Sequence, residues 1–102
     1  MVHNFTERQG GFNYVFDYNL KAKEEIILQM PRISPNKRGV NDIAWQTDGD
    51  VTLYGTLSPD LEASDALWQE ISEEYDINKC TYGLKIVNGA TPCKVVIRAL
   101  LN

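Results

Sequence analysis

The chain has 102 residues, enough for one domain and too few for two. It is 43% hydrophobic and 24% charged, the balance of a domain with a real apolar core and a solvated surface. Its formal net charge is −4, and the only cluster of Lys or Arg is Lys37-Arg38, which argues against a nucleic-acid binder, since such proteins present a basic face.

The opening stretch, MVHNFTERQGGF, lacks a basic segment followed by an apolar one, so no secretory signal is expected. No apolar run approaches the roughly 20 residues that a membrane span needs. Folding in a cytosol is the expectation. Cys80 and Cys93 suit a compartment where thiols stay reduced. Residues 1–11 are polar and end in Gly10-Gly11, which predicts an N-terminal arm, mobile or docked on a partner, ahead of one domain over 12–102.

FNYVFDYN then alternates, with Phe12, Tyr14, Phe16 and Tyr18 on one face. Strict alternation with aromatics predicts a half-buried strand. LKAKE is a charged connection, and EIILQM is a second strand stopped by Pro31. PRISPNKRG is a loop rich in breakers. VNDIAWQT alternates Ile43, Trp45 and Thr47 against Ala44 and Gln46, a third strand. TDGD reads as a hairpin turn, with Asp48-Gly49 supplying the positive φ that tight turns need. VTLYGTL follows as a strand rich in β-branched and aromatic residues.

Residues 58–76 are open to two readings. As a helix, Ser58 is an N-cap with Pro59 at the first helical position, and Leu61, Trp68, Ile71 and Tyr75 form a stripe. As strand, loop and strand, VTLYGTLS pairs with ALWQEI across the polar PDLEASD. The second reading is preferred. The stretch is acidic with no Lys or Arg, so a helix there lacks stabilising i,i+4 pairs and carries acids in its last turn. One helical turn inside the loop is compatible with it.

At the C-terminal end, YGLKIVN and CKVVIRALL flank GATP and predict a hairpin. Placing Asn88 opposite Cys93 sets Ile86 against Val95, Leu84 against Ile97 and Tyr82 against Ala99. The other face is then more polar, with Val87 against Lys94, Lys85 against Val96 and Gly83 against Arg98. This register puts Cys80 about 20 Å from Cys93 at the usual strand rise. A disulfide needs Cα atoms within about 7 Å, so two free, half-buried thiols are expected. About seven or eight short strands with regular turn signals predict an all-β, antiparallel β-sandwich, jelly-roll-like or immunoglobulin-like, with an extended N-terminal arm.

No constellation of residues points to catalysis. His3 is the single histidine and sits in the predicted arm, where it reads as exposed, with no third group to position it as a base. Asp48 and Asp50 stop short of the ligand series of a calcium loop, and the acids Asp60, Glu62 and Asp65 read as a solvated tip. Phosphate-loop, dinucleotide and zinc spacings are absent. The expectation is a non-enzyme without cofactor or metal. Trp45, Trp68 and the tyrosines are more often core or interface aromatics than a sugar-stacking platform.

The succession WQTDGDVTLYGTLS, loop, LWQEI, LKIVNG and closing CKVVIRALLN, over about residues 43–102, resembles the small β-sandwich virion proteins of tailed bacteriophages. The resemblance implies a capsid decoration (cement) protein on the outer head shell, a dimer or trimer whose partner is the major capsid protein. Such a protein adds buried interface, on the order of 1,600 Å² per contact, and no chemistry is required. The expected contact residues are Phe5 and Phe12 of the arm, with Arg32, Lys37, Arg38, Asp60 and Leu61 at loop tips. A carbohydrate- or receptor-binding module, or a tail or head–tail component, is the alternative.

Overall fold

The alternation read along the chain is what the backbone follows. The computed structural model describes residues 2–7, 13–34, 37–38, 42–71 and 82–100. Among these there are only strands, turns and loops: β1 (Val2–Asn4), β2 (Thr6–Glu7), β3 (Asn13–Leu20), β4 (Glu25–Gln29), β5 (Arg32–Ser34), β6 (Lys37–Arg38), β7 (Asp42–Thr47), β8 (Val51–Thr56), β9 (Gln69–Ile71), β10 (Gly83–Asn88) and β11 (Cys93–Leu100). The excess over the expected number comes from β1, β2, β5 and β6, which are two or three residues each.

One sheet has the order β1-β4-β10-β8-β9 and a second has β2-β3-β11-β7, while β5 and β6 pair only with each other. Every described pairing is antiparallel except β1 with β4, which is parallel. Period-two burial assigns the faces. Phe16 and Leu20 on β3 and Val95, Ile97 and Ala99 on β11 are buried, while Asp17, Asn19, Lys94 and Arg98 are exposed. Ile26 and Leu28 on β4, Leu53 on β8 and Leu84 and Ile86 on β10 complete one apolar cluster drawn from both sheets. Burial of this shared cluster is the main driving force for holding the two sheets together.

Two expected hairpins are absent. β10 pairs with β4 and β8, whereas β11 pairs with β3 and β7, so residues 89–92 carry the chain from one sheet to the other. TDGD does the same between β7 and β8. The physical reason is that alternation identifies an inward face without identifying the neighbour. Ile86 and Val95 belong to one core whether their strands lie side by side or face each other across it. At Gly49 the small residue serves close approach, since a Cβ there would lie 2.4 Å from the Cβ of Cys93. The connection 21–24 also changes sheets and includes Lys23 at φ 59°, in the left-handed region.

These three crossings lie at one end of the sheets, and the buried side chain of Asn88 ties two of them together. Its Nδ2 donates to the carbonyls of Lys21 (2.8 Å) and Thr91 (2.9 Å), and its Oδ1 accepts from the Cys93 thiol at 3.1 Å. The third crossing joins through one backbone bond, Gly89 N donating to Asp50 O at 3.0 Å, and one side-chain acceptor, Lys94 N donating to the Asp48 carboxylate Oδ1 at 2.8 Å. Cys93 is a free thiol; Cys80 lies outside the described residues.

The N-terminal segment departs from the expected arm. β1 lies along β4 with His3 opposite Leu28, and β2 lies along β3 with Thr6 opposite Val15. His3 is half-buried, its ring edge-on to Phe16 (6.0 Å) and Tyr18 (5.3 Å), not exposed. Aromatic side chains on β3 need cover at the margin between the sheets, and residues 2–7 provide it. Residues 8–12, including Phe12, are outside the described residues.

Two substitutions test this account. Asn88→Ala leaves two carbonyls without a donor and is expected to cost about 1–3 kcal/mol of unfolding free energy, read from the urea midpoint. Leu84→Ala, at a fully buried position, is expected to cost about 2–5 kcal/mol by the same measurement.

Candidate functional site

The end of the sheets opposite Asn88 carries the long connection between β8 and β9. Strand, loop and strand is the observed order, with Leu53 facing Ile71, Tyr54 facing Glu70 and Gly55 facing Gln69. The second strand is only Gln69–Ile71, so Ala66, Leu67 and Trp68 of the expected ALWQEI strand lie in the loop. Residues 57–68 form the loop and contain turns without a helix. Residues 72–76, the rest of the helix alternative, lie outside the described residues.

Local hydrogen bonds shape the loop. Thr56 is buried, and its Oγ1 accepts from Ser58 N at 3.0 Å. The Asp60 carboxylate accepts from Glu62 N at 3.2 Å, an Asx-type turn that short acidic side chains favour. Ala63 N donates to Asp60 O and Ala66 N to Ala63 O, so two successive turns bring the chain back to β9.

Leu61 holds the loop down. It was expected at an exposed tip, but it is buried, with 5% of its surface exposed. It sits over Gly83, where a Cβ would come within 2.7 Å of Leu61 Cδ2. With Leu61 turned inward, Leu57 and Leu67 on either side of the loop are left 63% and 84% exposed. Trp68 is half-buried beside them. The Lys85 ammonium lies 4.6 Å from its ring centroid, a cation–π contact, and also pairs with Glu25 at 3.5 Å.

Leu57, Leu67 and Trp68, with Ser58, Asp65 and Gln69, line an open hollow of about 570 Å³. Asp65 is the acid that lines the hollow. Asp60, Glu62 and Glu70 are exposed elsewhere on the segment 57–71, which contains no Lys or Arg. Chemically this is a place for apolar contact and hydrogen bonding next to negative charge. Among the described residues no group of three or more His, Cys, Asp or Glu side chains is placed to hold a metal ion. No helix among them is long and apolar enough to cross a membrane.

The other expected contact residues are placed differently. Phe5 is half-buried and packs edge-on to Tyr14 (6.3 Å) and Phe16 (6.4 Å), facing the chain's own aromatics. Asp60 is exposed on the loop. Arg32, Lys37 and Arg38 belong by backbone to the β5–β6 pair, and their side chains lie outside the described residues, as does Phe12. Leu57, Leu67 and Trp68 as a joint surface were missed by sequence reading. The available signal was the adjacent pair Leu67-Trp68, because neighbouring large apolar residues cannot both face one core from an extended chain.

Comparison of the chain with protein-family models, with curated proteins and with solved structures finds no significant match.

At the crossing end, Tyr18 and Glu24 are the perturbed titrating groups among the described residues. Glu24 accepts from Lys21 N at 2.8 Å and from the Tyr18 hydroxyl at 3.0 Å. The Lys21 backbone bond holds the Glu24 carboxyl below its usual range; partial burial opposes this, and the Tyr18 bond and the charges of Lys21 and His3 add to the lowering. Tyr18 is pushed up, first by donating to Glu24, then by burial and by the Glu24 charge. A depressed carboxylate stabilises the fold above its unfolded range and loses that contribution as pH falls through its folded value. A raised tyrosine stabilises below its unfolded range and loses its contribution as pH climbs through its folded value. Urea midpoints measured across pH are therefore expected to fall at both extremes. Glu24→Gln should flatten the acid limb and Tyr18→Phe the alkaline limb.

Proposed function

We propose that this chain is a non-catalytic structural protein of a tailed-bacteriophage virion, of the capsid decoration type. In this reading the two sheets are the layers of a β-sandwich, jelly-roll-like or immunoglobulin-like. The protein sits on the outer head shell, as a homo-oligomer, and bridges neighbouring copies of the major capsid protein. It is made in the host cytoplasm and acts by adding interface to the shell. Each contact need be only of ordinary size, because the same contact repeats over the whole surface.

The observation that carries the reading is the apolar loop surface of Leu57, Leu67 and Trp68. Isolated exposed leucines are common, but an exposed group beside a hollow on an acidic loop fits a docking surface. The acidity of residues 57–71 favours a partner segment that is both apolar and basic. Two like acidic segments facing each other would repel, which supports giving this surface to the shell and self-association to another face. The likeness of residues 43–102 to phage β-sandwich virion proteins supports the placement in a virion.

A second reading draws on the same hollow. Trp68 stands next to Ser58, Asp65 and Gln69, the pairing of an aromatic with hydrogen-bonding groups that a sugar ring uses. It makes the chain a carbohydrate- or receptor-binding module, or a tail or head–tail component with that task.

Purified heads lacking the protein separate the two. The wild-type chain is expected to co-sediment with them and to raise their resistance to heat. The pair Leu57→Asp and Leu67→Asp should weaken this at least about tenfold without changing the unfolding free energy, read from urea titration, by more than about 0.5 kcal/mol, since both residues are exposed. Wild-type protein that stays in the supernatant counts against decoration. A glycan array is expected to stay blank; a hit lost on Trp68→Ala would favour the second reading.

A further inference from the structure

Asn88-Gly89 is the one Asn-Gly step in the chain. In a flexible peptide such a step is chemically unstable. The glycine backbone nitrogen attacks the asparagine Cγ, and glycine has no Cβ to obstruct the approach. The nitrogen loses its proton as the N–Cγ bond forms. The Cγ–Nδ2 bond breaks, the amide nitrogen takes up the proton, and it leaves as ammonia. Water then opens the succinimide ring to give either aspartate or its iso-linked form at position 88.

In the native chain each reacting group is held by something else. Nδ2, the leaving group, donates to Lys21 O and Thr91 O at 2.8 and 2.9 Å. Oδ1 accepts from the Cys93 thiol at 3.1 Å. The attacking nitrogen of Gly89 donates its hydrogen to Asp50 O at 3.0 Å, and Asn88 N donates to Glu24 O at 2.9 Å. Cyclisation needs the side chain to rotate and the Gly89 N–H to be released, so three connections between the sheets must loosen together. Asn88 is 5% exposed, which also limits access of the water and base the reaction requires.

We propose that Asn88-Gly89 is a latent deamidation site, protected by the native fold, whose modification in the unfolded chain blocks return to that fold. The residue that joins the crossings is the one the crossings shield. A carboxylate at 88 has no hydrogen to give to the Lys21 and Thr91 carbonyls. It instead sets a buried negative charge against two carbonyl oxygens. The iso-linked product adds a methylene to the backbone where β10 must end in register with Val51 of β8. Unfolding followed by deamidation is then one-way, and the time spent unfolded limits the useful life of each chain.

The test uses the full chain at mildly alkaline pH, in buffer and in urea, with peptide mapping by mass spectrometry of the segment containing Asn88. Conversion of amide to acid is expected to be at least about a hundredfold slower in buffer, since the open form is rarely populated. Equal rates in the two solvents would overturn the protection. Chains held in alkaline urea are then returned to buffer, and folded and unfolded fractions are mapped separately. The modified mass should collect in the unfolded fraction. Its appearance in the folded fraction in proportion to its total would overturn the block. Chains held equally long in mildly acidic urea, where cyclisation is slow, should refold fully. If they do not, refolding is lost for reasons other than position 88, and the proposal fails.

Discussion

A single buried carboxamide sets the terms for one end of this protein. Three short connections pass between the two sheets there, and short crossings leave backbone carbonyls facing inward with no strand to pair with. Asn88 can serve several of them because its side chain has two donors and an acceptor. An aspartate lacks the donors, and a serine has one donor and a shorter reach. With Lys21, Thr91 and Cys93 satisfied by one group, the crossings lie close together. Among the described residues no buried side-chain nitrogen or oxygen lacks a partner. Once that end is closed, the inward faces of β3, β4, β8, β10 and β11 have little choice but to share one core.

The other end is built on a different principle. Between β8 and β9 the chain makes a long excursion, secured by Leu61 in the space that Gly83 leaves open. That anchoring turns Leu57 and Leu67 outward. The division is between an end where polar groups are satisfied internally and an end where apolar groups are left exposed. The loop can vary in sequence without disturbing the crossings, because the two are separated by the length of the strands.

Much of the element pattern was legible. Alternation located β3, β4, β7, β8, β10 and β11 and the inward faces of β3, β7, β10 and β11, and the acid-rich composition of 58–76 favoured a loop over a helix, which residues 57–71 follow. Partner choice was not legible. The C-terminal pair looked like a hairpin because one register sorted apolar from polar residues on both strands, yet the same sorting follows when two strands face each other from different sheets. The N-terminal segment read as a polar arm because residues 1–11 are largely polar and end in Gly10-Gly11, although His3 and Phe5 lie within it. Their role is to cover the Tyr14, Phe16 and Tyr18 side chains, and no local signal carries that. Leu61 was expected at the tip for the same reason, since its seat is made by Gly83, distant in sequence.

By itself the sequence determined the all-β class, the faces that β3, β7, β10 and β11 turn inward, and the acidic character of the β8–β9 loop. These follow from side-chain period and composition, which act within a few residues. The tertiary structure decided which strands are neighbours, that the short connections cross between sheets, and that Leu57, Leu67 and Trp68 rather than Leu61 form the open surface. Those outcomes depend on contacts between residues far apart in the chain: Asn88 with Lys21, Leu61 with Gly83, Lys85 with Trp68. A period of two states which way a side chain points. Only closure of the core states what it meets.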